Sequence, residues 1–241
     1  MKIVSLVPSS TETLLALGAG VVACTRFCEQ PHLPHVGGTK NPDVDAIVAL
    51  RPGLVVMDVE ENRIEDADAL RDAGLEVLAT DVCSLEDARR AVVALAEAAG
   101  VDAPPLHVGN APEDQPTSLW ARALVPIWRR PWVVLGTGTY GASLLAQLGI
   151  EVVTPSRRGK YLTIELTDVT DPPDLVLAPT EPYSFRDQHL GELAGAFPGA
   201  AVHVIDGQDL FWWGIRTPAA MQRLAAALGV RSTPVRGSRR T

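Results

Sequence analysis

Short apolar runs alternate with amphipathic stretches along almost the whole chain, and that rhythm leaves few folds open. Lys2–Val7 (KIVSLV) reads as a buried strand. Ser9-x-x-Glu12 fits a capping box, so the spacing predicts a helix over Thr11–Leu17 that stops at Gly18. Gly20–Cys24 and Leu54–Asp58 read as further strands, with a short helix over Asp43–Leu50 between them. Arg63–Ala73 is amphipathic and stops at Gly74, and Glu76–Thr80 follows as a strand. Ser84–Ala99 carries a cap at Ser84, a carboxylate at Asp87 and a stop at Gly100. Strand, helix and strand in repeated order predict parallel pairing and an α/β architecture.

Prolines then interrupt the pattern. Val101–Ser118 holds Pro104, Pro105, Pro112 and Pro116 around Gly109, and reads as a connector rather than a helix. Beyond it the rhythm resumes. Leu124–Trp128 and Trp132–Leu135 are strand material around a turn at Arg130-Pro131. Ala142–Leu148 is a helix, Glu151–Thr154 a strand, Leu166–Thr170 a short helix and Asp174–Ala178 a strand. Asp187–Phe197 (helix), Ala201–Ile205 (strand) and Thr217–Leu228 (helix) complete the pattern. DAIVALRPGLVVMDVEEN and DVTDPPDLVLAPTEPY echo each other, as a weak internal duplication would. The expected organisation is an N-terminal α/β lobe over 1–83, a helix and Pro-rich connector over 84–123, a C-terminal α/β lobe over 124–230, and a basic, flexible tail over 231–241.

Composition narrows the function classes. A formal net charge of -8 and a pI near 5.1 argue against a general nucleic-acid partner. No apolar run approaches the roughly 20 residues that span a bilayer, so direct membrane insertion is not expected. The start, MKIVSLVPSS, shows neither a signal peptide nor a lipobox. The expected location is therefore cytoplasmic, or periplasmic or extracellular where a leader has been replaced by Met. Three cysteines, Cys24, Cys28 and Cys83, suggest no disulfide framework.

In α/β lobes ligands gather at the carboxyl ends of strands. Those positions here include Pro8–Glu12, Thr25–Phe27, Gly38–Asn41 and the polar loop Glu60, Glu61, Asn62. In the second half they include Gly136–Tyr140, Pro182–Phe185 and Leu210–Arg216. Trp128, Trp132, Trp212 and Trp213 all fall in predicted turns, which suits a flat, partly apolar ligand. Arg26, Arg186 and Arg216 could receive carboxylates or phosphate. Two other chemistries stay open. Gly136-x-Gly138-x-x-Gly141 follows a strand and precedes a helix, as a dinucleotide loop does, and Ser156, Arg157 and Arg158 beyond the next strand would suit an NADP phosphate. Cys24, Cys28, His32 and His35 fall within one short stretch and could hold a metal.

Several longer segments, IVSLVPSSTETLLALG, VVACTRFCEQP, VGGTKNPDVDAIVALRPGLVV and EENR, form a series. With PIWRRPWVVLGTGTYGASLLAQLG, PDLVLAPTEPYSF and VIDGQDLFWWGIRT, it resembles the class III, helical-backbone substrate-binding proteins of ABC importers. These are the cobalamin, haem and iron-siderophore receptors, and the likeness is greatest to the cobalamin-binding branch. The resemblance implies two Rossmann-like lobes with parallel sheets, joined by a helical connector, with a ligand cleft between them. It implies binding rather than catalysis, no required cofactor, and a corrinoid or related tetrapyrrole or metal chelate as ligand. The implied contacts are Pro8, Ser9, Ser10, Phe27, Trp128, Tyr140 and Tyr183, with Phe211, Trp212 or Trp213 facing the corrin. Thr39 falls near a position where the cobalamin receptor has a tryptophan. One carboxylate per lobe would dock on a permease, here Asp45 and Asp168. The proline-rich connector departs from the family, which spends that stretch on a spanning helix.

Overall fold

A computed structural model describes residues 1–106, 119–155 and 159–230. The chain forms two units. The first takes residues 1–106 and two later returns, Gly138–Ser143 and Phe211–Pro218. The second takes residues 119–137, Leu144–Leu210 and 219–230. These units differ from the expected contiguous division at 83 and 124. Helix 85–99 belongs to the first unit, where it packs on the first helix, and two short downstream segments come back to that unit. Local periodicity cannot report a return of that kind, because it is decided by which buried surface the segment meets.

In the first unit β1 (Ile3–Ser5), α1 (Pro8–Ala16), β2 (Val21–Cys24), α2 (Val44–Leu50), β3 (Leu54–Asp58), α3 (Ile64–Asp72), β4 (Val77–Thr80) and α4 (Leu85–Ala99) alternate as the pattern predicts. The four strands are parallel in the order β2-β1-β3-β4. Val4, Leu6, Val55 and Met57 pack with Ile47 and Leu70 of the helices, and all are essentially fully buried. Removing such a side chain from water is worth about 1.5–3 kcal/mol each. Asp43 caps α2 by accepting from the Ala46 N–H at 3.0 Å, and Ser84 caps α4 by accepting from Asp87 N–H at 3.1 Å. The capping box expected at Ser9 is not used. Helix α1 begins earlier, with Val7 at the N-cap and Pro8 in the first turn, where a missing N–H costs nothing.

The second unit holds β5 (Ala121–Leu124), β6 (Pro126–Trp128), β7 (Trp132–Leu135), β8 (Ile150–Val152), β9 (Tyr161–Ile164), β10 (Leu175–Pro179), α6 (Asp187–Ala196) and β11 (Ala201–Ile205). Helices α5 (Tyr140–Gln147), α7 (Gly207–Phe211) and α8 (Thr217–Leu228) each end or begin in a segment of the first unit. The parallel sheet runs β11-β10-β5-β8, which is the first unit's order repeated: a starting strand, its successor on one side, and the next two on the other. That repeat matches the duplicated sequence pattern.

A separate antiparallel sheet, β6-β7-β9, takes two strands from the chain between β5 and β8 and one from the chain between β8 and β10. The pattern placed one strand at Leu124–Trp128 and so missed β5, which lies almost wholly in the expected connector, and it did not predict β9 or the helix α7. Each is short, and YLTI and GQDLF carry too few residues for a period to show. Leu166–Thr170 forms only a 3-10 turn, Leu166–Asp168. Pro104 and Pro105 lie in a non-helical stretch as expected, while the rest of the connector from 107 to 118 and the tail 231–241 fall outside the described residues.

Candidate functional site

Because the first unit's strands are all parallel, their carboxyl ends share one edge. The order β2-β1-β3-β4 reverses direction between β1 and β3, the point at which such sheets open a ligand crevice. Pro8–Ser10 follow β1 and Asp58–Asn62 end β3, with Arg26 and Phe27 beside them after β2. Pro8, Ser9, Ser10, Arg26, Phe27, Thr39 and Asn62 of the predicted site residues are therefore brought to one edge, but their roles divide.

Arg26 and Phe27 are exposed, Phe27 by 49%. They sit on a 3-10 turn, Arg26–Cys28, whose inner residues are locked. The Thr25 and Cys28 side chains meet at 3.2 Å, and the Thr11 hydroxyl lies 3.2 Å from Cys28 Sγ and 2.8 Å from Ser5 Oγ. A hydrogen bond from the Cys24 thiol, helped by the two threonine hydroxyls, pulls the Cys28 thiol below its ordinary range despite burial. The alternative metal reading is not favoured by this arrangement. Cys24 and Cys28 form a buried thiol–hydroxyl cluster, while His32 and His35 lie outside on the exposed loop. Among the described residues no three His, Cys, Asp or Glu side chains converge on a metal position.

Thr39 and Asn62 are buried and serve as a brace instead of contact points. The Asn62 amide donates to the Thr39 carbonyl at 2.8 Å, and its Oδ1 accepts from the Asp58 N–H at 2.8 Å. Lys40 donates to the Glu60 carbonyl across the same two loops. Asp58 lies beneath, 6% exposed, accepting from Thr80 Oγ1 at 2.8 Å and from the Glu60 N–H at 2.9 Å. Burial raises its pKa, and these donors only partly offset the shift. The folded chain thus holds this proton more tightly than the unfolded chain. The resulting stability is complete below the ordinary carboxylate range and is lost as pH rises through the raised value. Asp58→Asn should flatten that part of the stability–pH curve. Denaturant midpoints measured across the acid range for both proteins check this, and identical slopes would refute it.

Ser9 and Ser10 were expected to touch ligand. Ser10 is fully buried. Ser9 accepts from the Trp213 backbone N–H at 3.2 Å, and Thr13, one turn further along α1, accepts from the Ile215 N–H at 3.3 Å. The segment Phe211–Arg216 is thus laid along α1. Glu12 on the same helix meets Arg216 Nε at 3.2 Å, and Arg216 in turn lies over the Trp212 ring with Cζ 5.0 Å from its centroid. Trp212 and Phe211 are half-buried, whereas Trp213 is buried to 6%. Tyr140 is also buried, its hydroxyl 2.9 Å from Thr217 Oγ1. Sequence reasoning missed Thr13 and treated Glu12 as a cap. A helix position that holds a segment some 200 residues away leaves no local signal.

In the second unit the sheet reverses between β5 and β10; Trp128 ends β6, the strand that leaves β5, and Tyr183 lies in the loop after β10. Trp128 is 45% exposed and meets Tyr183 edge-on, with centroids 5.3 Å apart. Tyr183 continues onto Phe185, and Phe185 stacks on the buried Trp132. Arg129 lies over Trp132 and donates to Glu192 at 2.8 Å. Trp132 is therefore core, and Phe185, which was not singled out individually, is the link that carries the aromatic row outward. A cavity of about 500 Å³ walled by Leu166, Val169, Pro173 and Phe197 lies at the opposite, amino ends of β10 and β11, away from this edge.

The dinucleotide reading is not favoured. Strand β7, which precedes Gly136, lies between two antiparallel partners, whereas that loop needs a parallel strand–helix–strand unit. A Cβ on Gly136 would sit 2.1 Å from the Gly159 carbonyl oxygen, so this glycine lets two chain segments pass each other. Ser156, Arg157 and Arg158 fall outside the described residues.

No model of a known protein family matches the chain. Solved structures do. The periplasmic vitamin B12 binding protein BtuF of Vibrio cholerae aligns over 95% of this chain and 96% of its own, with a TM-score of 0.73 at 17% identity. The two proteins share one fold. A periplasmic haem binding protein from Pseudomonas aeruginosa aligns over 97% and 95%, with a TM-score of 0.71 at 21% identity. The apo haem-binding protein RhuT from Roseiflexus sp. RS-1 aligns over 94% and 97%, with a TM-score of 0.72 at 21% identity. Among curated proteins, the uncharacterized ABC transporter substrate-binding lipoprotein YvrC of Bacillus subtilis (strain 168) is 34% identical over 110 residues. That match covers 42% of this chain and 35% of the relative, so the chain spans about a third of that protein's length there. The binding-protein fold read from the sequence motifs is thus found in three dimensions. No helix among the described residues is long and apolar enough to cross a membrane.

Proposed function

We propose that this chain is the substrate-binding component of an ABC importer, and that it captures a flat macrocycle, a corrinoid before other tetrapyrroles or metal chelates. It acts outside the membrane as a carrier, and its chemistry is reversible binding rather than catalysis. The observation that carries this reading is the placement of accessible aromatic rings at both sheet reversal points: Phe27 and Trp212 in one unit, Trp128 and Tyr183 in the other. Rings of this kind offer apolar faces to a planar ligand. The full-length likeness to vitamin B12 and haem binding proteins supports it.

A visible-absorbance titration with hydroxocobalamin, cobinamide and haemin, with co-elution on gel filtration, tests the proposal. One-to-one corrinoid binding is expected. Binding of none of the three would overturn the reading. Asp45, exposed in the first turn of α2, and Asp168, exposed and accepting from the Glu165 N–H at 2.8 Å, are the proposed permease contacts. Asp45→Asn and Asp168→Asn should leave the titration unchanged, and lost cargo binding would remove them from that role.

A further inference from the structure

Two arginines of the first unit lie over aromatic rings, and they differ in charge compensation. Arg216, over Trp212, is in ion-pair contact with Glu12 at 3.2 Å. Arg26 lies over Phe27 with Cζ 4.7 Å from the ring centroid, is exposed, and makes no ion pair among the described residues. The Arg26–Phe27 stack is a built platform. The Arg26 N–H donates to the Gly37 carbonyl at 3.1 Å, fixing the turn. Gly38 makes room for three side chains: a Cβ there would stand 2.7 Å from Asn41 Oδ1, 3.0 Å from the Arg26 guanidinium and 3.1 Å from the Phe27 ring. From inside, Thr25 and Cys28 anchor the same turn.

A guanidinium held on a ring face keeps its N–H edge free for a carboxylate or phosphate, with its side-chain entropy already spent. A guanidinium facing a carboxylate presents little net charge to a ligand. We infer that the cargo carries one anionic group, received by Arg26 beside Phe27, and that the Glu12–Arg216 pair makes the Trp212 side of the site charge-neutral and selective for uncharged substituents there. The inference rests on the carrier reading and names its cargo class: a planar macrocycle with a single phosphate ester or carboxylate and neutral groups elsewhere. Glu12 is the specificity-determining residue, since it decides whether a second anion is accepted.

Three probes separate the possibilities. Cyanocobalamin carries one phosphodiester, dicyanocobinamide has the same ring without it, and haemin carries two carboxylates. Arg26→Gln should weaken cyanocobalamin binding about tenfold, the scale of one charge-assisted hydrogen bond, and dicyanocobinamide less than about twofold. Gly38→Ala should reproduce that selective loss by displacing the stack. Glu12→Gln should shift the preference between haemin and cyanocobalamin about tenfold toward haemin by removing the carboxylate that offsets Arg216. Raising the salt concentration should weaken cyanocobalamin binding to the wild-type protein but not dicyanocobinamide binding. If the wild-type protein binds corrinoids and Arg26→Gln weakens both equally, or neither, the inference fails while the carrier reading stands. Wild-type preference for haemin over cyanocobalamin would overturn the neutral side of the site. Binding of no probe by the wild-type protein would remove both readings.

Discussion

Gly214→Ala should destabilise the protein by about 2–5 kcal/mol, the sum of two separate penalties. Gly214 has φ +113°, a backbone region that side chains disfavour, and a Cβ there would land 2.1 Å from Thr13 Oγ1. Thr13 cannot simply turn away without giving up its bond from the Ile215 N–H. The double variant Gly214→Ala/Thr13→Ala should recover about 1–2 kcal/mol relative to the sum of the single variants, because the collision is removed while the φ strain remains. Chemical denaturation of the four proteins of that cycle measures it. A cost for Gly214→Ala under about 0.5 kcal/mol would mean that the segment does not lie against α1.

Trp212 and Trp213, adjacent in sequence, should fail in opposite ways when truncated. Trp213 is 6% exposed and its backbone N–H is held by Ser9, so Trp213→Ala should cost about 3–5 kcal/mol of stability. Trp212 is half-buried under Arg216, so Trp212→Ala should cost little stability and weaken corrinoid binding by about tenfold or more, as loss of an aromatic anchor does. Denaturant midpoints and absorbance titrations on both variants separate the two effects. If Trp213→Ala alone abolished binding at full stability, the assignment of the two rings would have to be exchanged.

These variants mark the limit of what local sequence carries. Strand–helix alternation was legible because buried strands and amphipathic helices have different periods, and the parallel order follows from the connections that alternation requires. Accessible rings at strand ends were legible for the same reason: Phe27, Trp128 and Tyr183 follow apolar runs directly. Burial was less legible. Tyr140, Trp132 and Trp213 were read as turn positions, yet each is buried against a partner remote in sequence: Thr217, Phe185 and Ser9. The antiparallel insert β6-β7-β9 was hidden as well, since its third strand is set by pairing with Trp132–Leu135 and not by its own four residues.

The sequence by itself determined the α/β class, the edge at which ligand-facing loops collect, and the motif series shared with substrate-binding proteins, all of which depend on near neighbours along the chain. Tertiary structure alone decided that α1 carries Phe211–Arg216 through Ser9, Glu12 and Thr13, and that Glu12 offsets Arg216 while Arg26 keeps its charge. Those outcomes depend on distances between residues far apart in the chain. Such distances arise only after the hydrophobic cores have condensed and the polar groups at their margins have found partners.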